Sequence, residues 1–260
     1  MTGAGFLFFQ GKPLHHSREE IIIIFTLPNG IDEGNLDKPT LNQVLDALKR
    51  QVLVGKSYLD LANGLLQADP IILQTAPTFL GLTADGSIEL AQMTIARLYD
   101  KTTGAVTVKS MLDQAELDVG FFRRGNVQQI EALIADSRIA VLKLEPVLVS
   151  IRKRRNEWLV HLDPRTVADP KALAAKAKLT IPDLERAFKE TEEMLIKMSS
   201  LYQGTIGDLR FVGGDDYKTA LDWIRRAKCA FIEGFEKEHG SGSWTGPRPK
   251  DCSRAPYDFV

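Results

Sequence analysis

The stretch PTLNQVLDALKRQVLVGKSYLDLANGLL, residues 39–66, decides the fold class. Its apolar side chains recur at steps of three and four residues, which is the spacing of one face of an α-helix. They are Leu41, Val44, Leu45, Leu48, Val52, Leu59, Ala62 and Leu66. Thr40 stands where an N-cap is expected, and Asp69-Pro70 marks the end. The stretch therefore predicts a long amphipathic helix.

The same periodicity recurs along most of the chain. It predicts further helices over residues 71–80, 88–99, 108–117, 126–162, 184–202 and 215–238. Gly81 is expected to interrupt the first of these, and Pro146 should kink or divide the helix from Asn126. In the last helix five side chains are expected to face inward: Trp223, Ile224, Ala227, Phe231 and Phe235. Helices of this length with short connections normally lie antiparallel, so we predict an all-α fold, an antiparallel helical bundle.

Both ends of the chain differ from this pattern. Residues 1–38 contain one short strand candidate, residues 21–26, with no convincing partner. We expect them to form a short non-helical N-terminal extension. Residues 239–260 are rich in Gly, Pro and Ser and are expected to form a flexible tail. The helical domain is thus predicted to span residues 39–238.

Composition limits the classes of function. The formal net charge is −1, so nucleic-acid binding would require a local basic patch. The two cysteines are too few for a disulfide framework and lack metal-ligand spacing, which is typical of a protein from a reducing cytoplasm. The longest aliphatic run, residues 21–25, is too short to cross a bilayer, and the N-terminus lacks the basic region of a signal peptide. We expect a cytoplasmic protein with no membrane partner, metal or other cofactor.

The candidate site is RKRRNEWLVHLDP, residues 152–164, at the predicted end of the long helix. On one α-helix Arg155 would interrupt an apolar face that includes Leu148 and Ile151, and a guanidinium there needs a counter-charge or a wet interface. Arg154 and His161 are seven residues apart and would share a side. Arg155 and His161 are six apart, roughly 120° around the axis. A site that uses both therefore requires a flexible Arg, a frayed last turn or a second copy of the helix.

Helix physics leaves two interpretations of this segment open. In the structural one, the cations complement the helix dipole, His161 caps a late carbonyl, and Arg155 pairs with an acid such as Asp100. In the functional one, the same groups bind a phosphodiester.

Four elements of the sequence resemble a known family. Arg155, the polar Asn156 and His161, with five residues between Arg and His, resemble the signature of the HEPN superfamily. RNEWLVHLD resembles the corresponding segment of its abortive-infection AbiU-type branch. ARLYD at 96–100, KSML at 109–112 and the helix after residue 180 resemble further elements of that branch, in the same order. The likeness covers roughly residues 39–235.

The resemblance implies a metal-independent endoribonuclease that acts as a homodimer, with two motifs facing each other. In that mechanism His161 transfers the proton, Arg155 holds the phosphate oxygens, and Asn156 orients one of these groups. The RNA backbone would be followed by the preceding cations, Arg152, Lys153 and Arg154. The expected role is an effector of a phage-defence or toxin-type system, with an antitoxin protein as a further partner.

Two alternatives remain open at this point, because family membership alone does not give activity. One is a non-catalytic RNA- or nucleotide-binding module, which would bind RNA and leave it intact. The other is a structural interaction protein in which residues 152–161 form a dimer seam.

Overall fold

The computed structural model describes residues 39–159, 175–204, 216–250 and 252. Within them the chain forms seven α-helices: α1 (Leu41–Leu66), α2 (Pro70–Leu73), α3 (Pro77–Leu98), α4 (Val108–Leu117), α5 (Val127–Arg154), α6 (Ile181–Gln203) and α7 (Asp216–His239). A 3₁₀ turn, Val119–Phe121, precedes α5, and a π-helical turn, Arg155–Leu159, follows it. These ranges contain no β-strand, and the all-α prediction is confirmed. The predicted N-terminal extension, residues 1–38, lies outside the described residues.

Helices α1 and α6 lie antiparallel. Side-chain hydrogen bonds join them at four places in the described residues: Gln203 to Asn42, Lys49 to Gln203, Lys56 to Glu192 and Asn63 to Glu185. Among these bonded pairs, the residue number rises in α1 while it falls in α6, so the two helices run in opposite directions. The predicted apolar face of α1 is buried at every position except Leu66, whose place is taken by Leu65.

The core lies between α1, α3, α5 and α6, with α4 packed across α1 and α5. Gly55 lets these helices approach closely. A Cβ at this position would lie 2.5 Å from the Phe188 ring of α6 and 2.8 Å from Thr94 Cγ2 of α3. A larger residue at 55 would therefore push α1 away from both neighbours.

Local capping chemistry fixes the helix starts. Thr40, Thr107, Asn126 and Thr180 each accept a hydrogen bond from a backbone N–H in the first helical turn, in a reciprocal capping box. The predicted starts at Thr40, Asn126 and Thr180 are confirmed.

Neither Gly81 nor Pro146 divides its helix, so the predicted interruption at Gly81 and the predicted division at Pro146 are wrong. Helix α3 runs through Gly81 without interruption, because Leu80 and Ala84 on either side are buried against Leu65 and offset the roughly 1 kcal/mol cost of a helical glycine. The break falls earlier, between Leu73 and Pro77. Pro146 is exposed and does not divide α5, which continues to Arg154.

The inward face predicted for α7 is largely wrong. Trp223, Ala227 and Phe231 are exposed, whereas Cys229 and Ile232 are buried. Helix α7 lies outside the core and contacts α2 and α1, so little of its surface meets other helices. Tyr217 packs directly against Gly64 of α1, where any side chain on the glycine would clash.

The segment after α7 is packed, contrary to the expectation of a flexible tail for these residues. Trp244 packs edge-on against Phe231 and Phe235, at ring-centroid distances of 5.7 and 5.6 Å. The Lys250 N–H donates to Asp69 Oδ2 at 2.9 Å. Two cysteines are too few for a framework, yet Cys229 and Cys252 form one disulfide, so the cysteines do not support the expected reducing compartment. Aromatic burial and this bond hold residues 240–250 on α7.

No helix in the described part of the chain combines the length and the apolar character needed to span a bilayer.

Candidate functional site

The candidate motif begins where α5 changes its helical form. Helix α5 ends at Arg154, and Arg155–Leu159 continue as a π-helical turn. The prediction of one α-helix to residue 162 is therefore correct only to Arg154. A π turn has more residues per turn than an α-helix, so it redirects the side chains from Arg155 onward, and such turns are frequent at functional sites.

Arg155 lies beside the end of α3. Its Nη1 atom is 3.7 Å from Asp100 Oδ2, and its Nε donates to Asn156 Oδ1 at 3.1 Å. The guanidinium-bearing side chain remains 27% exposed, and Asn156 is exposed. Arg155 thus makes the contact with Asp100 that the structural interpretation of this segment expects. Both motif residues are therefore held at an edge that solvent reaches.

Thr102 holds the Asp100 carboxylate in position for this contact. The backbone N–H and the hydroxyl of Thr102 donate to Asp100 Oδ1 at 3.0 and 2.9 Å. These hydrogen bonds, with a smaller contribution from Arg155, hold the pKa of the Asp100 carboxyl below its usual value. The carboxylate stays charged at neutral pH and attracts the guanidinium.

The three cations before Arg155 differ in the ion pairs and hydrogen bonds that they make. Arg152 pairs with Glu145, which also lies 3.5 Å from Lys101. Arg154 donates from Nε to the Ala177 carbonyl at 2.8 Å, and burial lowers the pKa of its guanidinium. Within the described residues only Lys153 of the three has no ion pair or hydrogen bond. The role of following an RNA backbone, which the resemblance implies for all three cations, stays a prediction.

A cleft of about 330 Å³ opens beside Arg152, between the end of α3, α4 and α5. Apolar side chains line part of it: Tyr99, Leu112, Val141, Leu142 and Leu148. Cations line the rest: Lys101, Lys109, Arg138 and Arg152, with Asp100 and Glu145 between them. Segments 96–100, 109–112 and 152–156, distant in sequence, are brought together here. An apolar wall with charged groups suits a ligand that has both a flat apolar part and an anionic part.

An exposed apolar stripe on α5 leads to the motif. Ile139, Leu142 and Val149 are 49%, 71% and 50% exposed, and Pro146 lies exposed between them. Their steps of three and four residues continue to Lys153, so these five positions share one side of α5, which ends next to the π turn that contains Asn156. The buried stripe of α5 was predicted from the sequence, whereas this exposed stripe was not. Its spacing at 139, 142, 146 and 149 was the available signal.

His161 lies outside the described residues, so its approach to Arg155 stays a prediction. Among the residues that are described, no group of three or more His, Cys, Asp or Glu side chains is placed to hold a metal ion.

Comparison with known proteins gives one match. The HEPN family model AbiU2 matches residues 67–222, more than half of the chain. The matched range contains the cleft, the π turn and the candidate motif. Neither the curated proteins nor the solved structures contain a match to this chain.

Proposed function

Because the chain belongs to the AbiU2 family of HEPN modules, a family of the abortive-infection type, we propose that it is a metal-independent endoribonuclease effector of a phage-defence or toxin-type system. The position of Arg155 carries this proposal. Its guanidinium is partly exposed, is oriented by Asp100 and lies next to the exposed Asn156. RNA cleavage requires such a cation to bind the phosphate whose charge grows during reaction.

The proposed reaction needs no group beyond the chain and the RNA. The ribose 2′-oxygen attacks the adjacent phosphorus while an imidazole of His161 takes the hydroxyl proton. The P–O5′ bond breaks, and the leaving 5′-oxygen receives a proton from a protonated imidazole. Arg155 binds the non-bridging oxygens, exchanging the Asp100 carboxylate for the phosphate. The products are a 2′,3′-cyclic phosphate and a 5′-hydroxyl.

A homodimer supplies the second imidazole in this proposal. The exposed stripe on α5 supports it, because Ile139, Leu142 and Val149 present apolar side chains to water unless another surface covers them. The stripe runs to Lys153, next to the π turn that contains Asn156. Two copies that pack along it bring their two motifs together, which is the composite site that the resemblance implies. An antitoxin protein that covers this site is the further partner that we expect, and the cytoplasm is the compartment.

The direct test is cleavage of single-stranded and transfer RNA by the purified protein with EDTA present. We expect wild type to release fragments with 2′,3′-cyclic phosphate ends, and His161→Ala to lose cleavage while it stays folded. His239→Ala is the matched control, because His239 is exposed on α7, far along the chain from the motif. Equal inertness of wild type and His161→Ala across a broad RNA panel would contradict the nuclease proposal.

The cleft beside Arg152 favours a second candidate function. Its apolar wall and cationic rim would also suit a module that binds RNA or a nucleotide without cutting it. In that case Arg152→Ala, which removes a cation of the cleft rim, would weaken a salt-sensitive affinity, and the RNA would be recovered intact.

A further inference from the structure

A second basic surface lies at the opposite end of α5 from the motif. The 3₁₀ turn Val119–Phe121 and the loop to Asn126 meet the C-terminal end of α6 there. Helix α5 has 28 residues. At a rise of about 1.5 Å per residue it places this loop roughly 40 Å from Arg155. The surface is therefore separate from the candidate site of the same chain.

The loop is held firmly in place. The Phe122 ring packs edge-on against Tyr202 at 5.1 Å, and the Arg124 N–H donates to the Leu201 carbonyl at 3.0 Å. These two contacts fix the backbone on both sides of Arg123. The loop backbone is thus preorganised, which lowers the entropic cost of ordering it when a ligand binds.

Phe121 does not share in this packing. Its side chain is 74% exposed, although the adjacent Phe122 is packed against Tyr202. Phe121 borders an open pocket of about 610 Å³ whose other lining residues are Asn42, Arg123, Tyr202 and Gln203. An aromatic ring left in water at the mouth of a polar pocket offers a stacking surface for a flat ligand.

Arg123 and Arg124 supply the charge of this surface. Both are exposed, and neither makes an ion pair or a side-chain hydrogen bond with another residue in the described part of the chain. This distinguishes them from Arg152 and Arg154, which are engaged by Glu145 and the Ala177 carbonyl. An arginine without a counter-charge is available to a phosphate without first breaking an ion pair.

One acid lies near the pocket. Asp118 accepts a hydrogen bond from Gln114 Nε2 at 3.0 Å, on the side of the loop that leads from α4. Among the described residues of this loop, two exposed arginines stand against one carboxylate that is already hydrogen-bonded. This balance favours an anionic ligand.

We propose that this pocket binds a nucleotide of single-stranded RNA, with the base stacked on Phe121 and the adjoining phosphates on Arg123 and Arg124. The proposal deepens the proposed function, because it supplies backbone contacts that Arg152 and Arg154 are not free to make. An unpaired strand fits better than a duplex, since only an unstacked base can lay its face on a side chain. Aromatic stacking tolerates every base, so this contact strengthens binding with little sequence preference.

The test measures binding without cleavage. A labelled 12-nucleotide 2′-O-methyl RNA has no attacking hydroxyl, and its anisotropy is followed with the full-length protein over a series of salt concentrations. The variants are Arg123→Gln/Arg124→Gln, Phe121→Ala and Phe121→Tyr. The control Arg186→Gln/Lys189→Gln removes the same charge from two exposed residues near the other end of α6.

We expect the Arg123/Arg124 double variant to lose about tenfold or more in affinity and to lower the slope of log affinity against log salt by roughly one to two. Phe121→Ala should lose about tenfold, and Phe121→Tyr should restore binding because it keeps the ring. The control pair should bind like wild type. The side chains of all three altered residues are exposed, so the variants should fold, which circular dichroism checks.

Two results would overturn the inference. One is wild-type affinity in the arginine double variant. The other is a loss of affinity in that variant together with no change in Phe121→Ala, which would indicate an anion site and no nucleotide pocket. The nuclease proposal fails separately: RNA binding that depends on Phe121 in a protein that never cleaves RNA would sustain this inference and contradict that proposal.

Discussion

Arg155 and Asp100 face each other across the end of α3, with Nη1 and Oδ2 3.7 Å apart. A carboxylate thus stands where a phosphate would have to bind. Both side chains are about one-third exposed or less, and solvent screens their attraction, so the pair orients the guanidinium without locking it in place.

Asp100→Asn should therefore tighten the binding of a 2′-O-methyl RNA. The amide oxygen can still accept from Thr102, while the charge that competes with phosphate is gone. Exposed ion pairs contribute about 0.2–1 kcal/mol, which corresponds to a gain of up to about fivefold in affinity. Asp222→Asn on α7 is the control for the change in net charge. Weaker binding in Asp100→Asn would contradict this account.

Much of this arrangement could be predicted from the sequence, because its causes are local. The side chains of Thr40, Asn126 and Thr180 cap the helices that follow them, so these helix starts can be predicted. The apolar spacing predicts which helix faces are buried. The contact of Arg155 with Asp100 follows from the structural interpretation of the motif, because a guanidinium on a buried stripe needs a counter-charge or a wet interface.

The rest depends on contacts between distant segments. Arg154 is engaged by a carbonyl 23 residues away, which no spacing in the sequence indicates. Phe231 of α7 was expected to face the core, but it packs against Trp244 of the C-terminal segment. The π turn at Arg155 redirects side chains that an α-helical projection had placed.

Gly55→Ala and Gly81→Ala should have opposite effects on stability. At Gly55 the new methyl meets the Phe188 ring at 2.5 Å and Thr94 Cγ2 at 2.8 Å, so we expect a loss of about 1–3 kcal/mol. At Gly81 nothing lies within 4 Å, and the lower entropy of the unfolded chain should add about 0.5–1 kcal/mol. Urea unfolding measures both. A stabilising Gly55→Ala would contradict the close packing of α1.

Tyr99 should make the fold sensitive to alkali. Its hydroxyl lies 2.6 Å from Thr191 Oγ1, and burial raises its pKa from 10.0 to about 12. The folded state therefore binds this proton more tightly than the unfolded state. The corresponding stability is complete below pH 10 and is lost as pH rises toward about 12.

Tyr99→Phe should remove this alkaline loss. At neutral pH it should cost about 1 kcal/mol for the lost hydrogen bond, since Thr191 keeps its bond to the Ala187 carbonyl. Unfolding free energies at pH 8 and above pH 10 give both quantities. An unchanged pH dependence in the variant would show that another group is responsible.

The Cys229–Cys252 disulfide should control whether the C-terminal segment stays on α7. It joins cysteines 23 residues apart, and closing such a loop is worth about 3 kcal/mol by the chain-entropy estimate. Two backbone amides report on the segment: Gly242 donates to Glu236 and Lys250 to Asp69. In Cys252→Ser, or after reduction, we expect both amides to exchange hydrogen faster. Equal exchange rates before and after reduction would show that Trp244 packing alone suffices.

Val149→Glu should separate the proposed dimer without unfolding the chain. Val149 is 50% exposed, lies in the stripe that leads to Lys153 and, unlike Leu142, does not line the cleft beside Arg152. A carboxylate there costs little in a monomer, but two copies that pack along the stripe would bury it without a partner. We expect a folded monomer by sedimentation and circular dichroism, and loss of RNA cleavage because each half-site then lacks its second imidazole.

Leu117→Glu is the control, since Leu117 on α4 is 79% exposed and lies outside the stripe. A Val149→Glu protein that is monomeric and still cleaves RNA would show that one chain holds a complete site. A variant that remains dimeric would place the dimer interface on another surface.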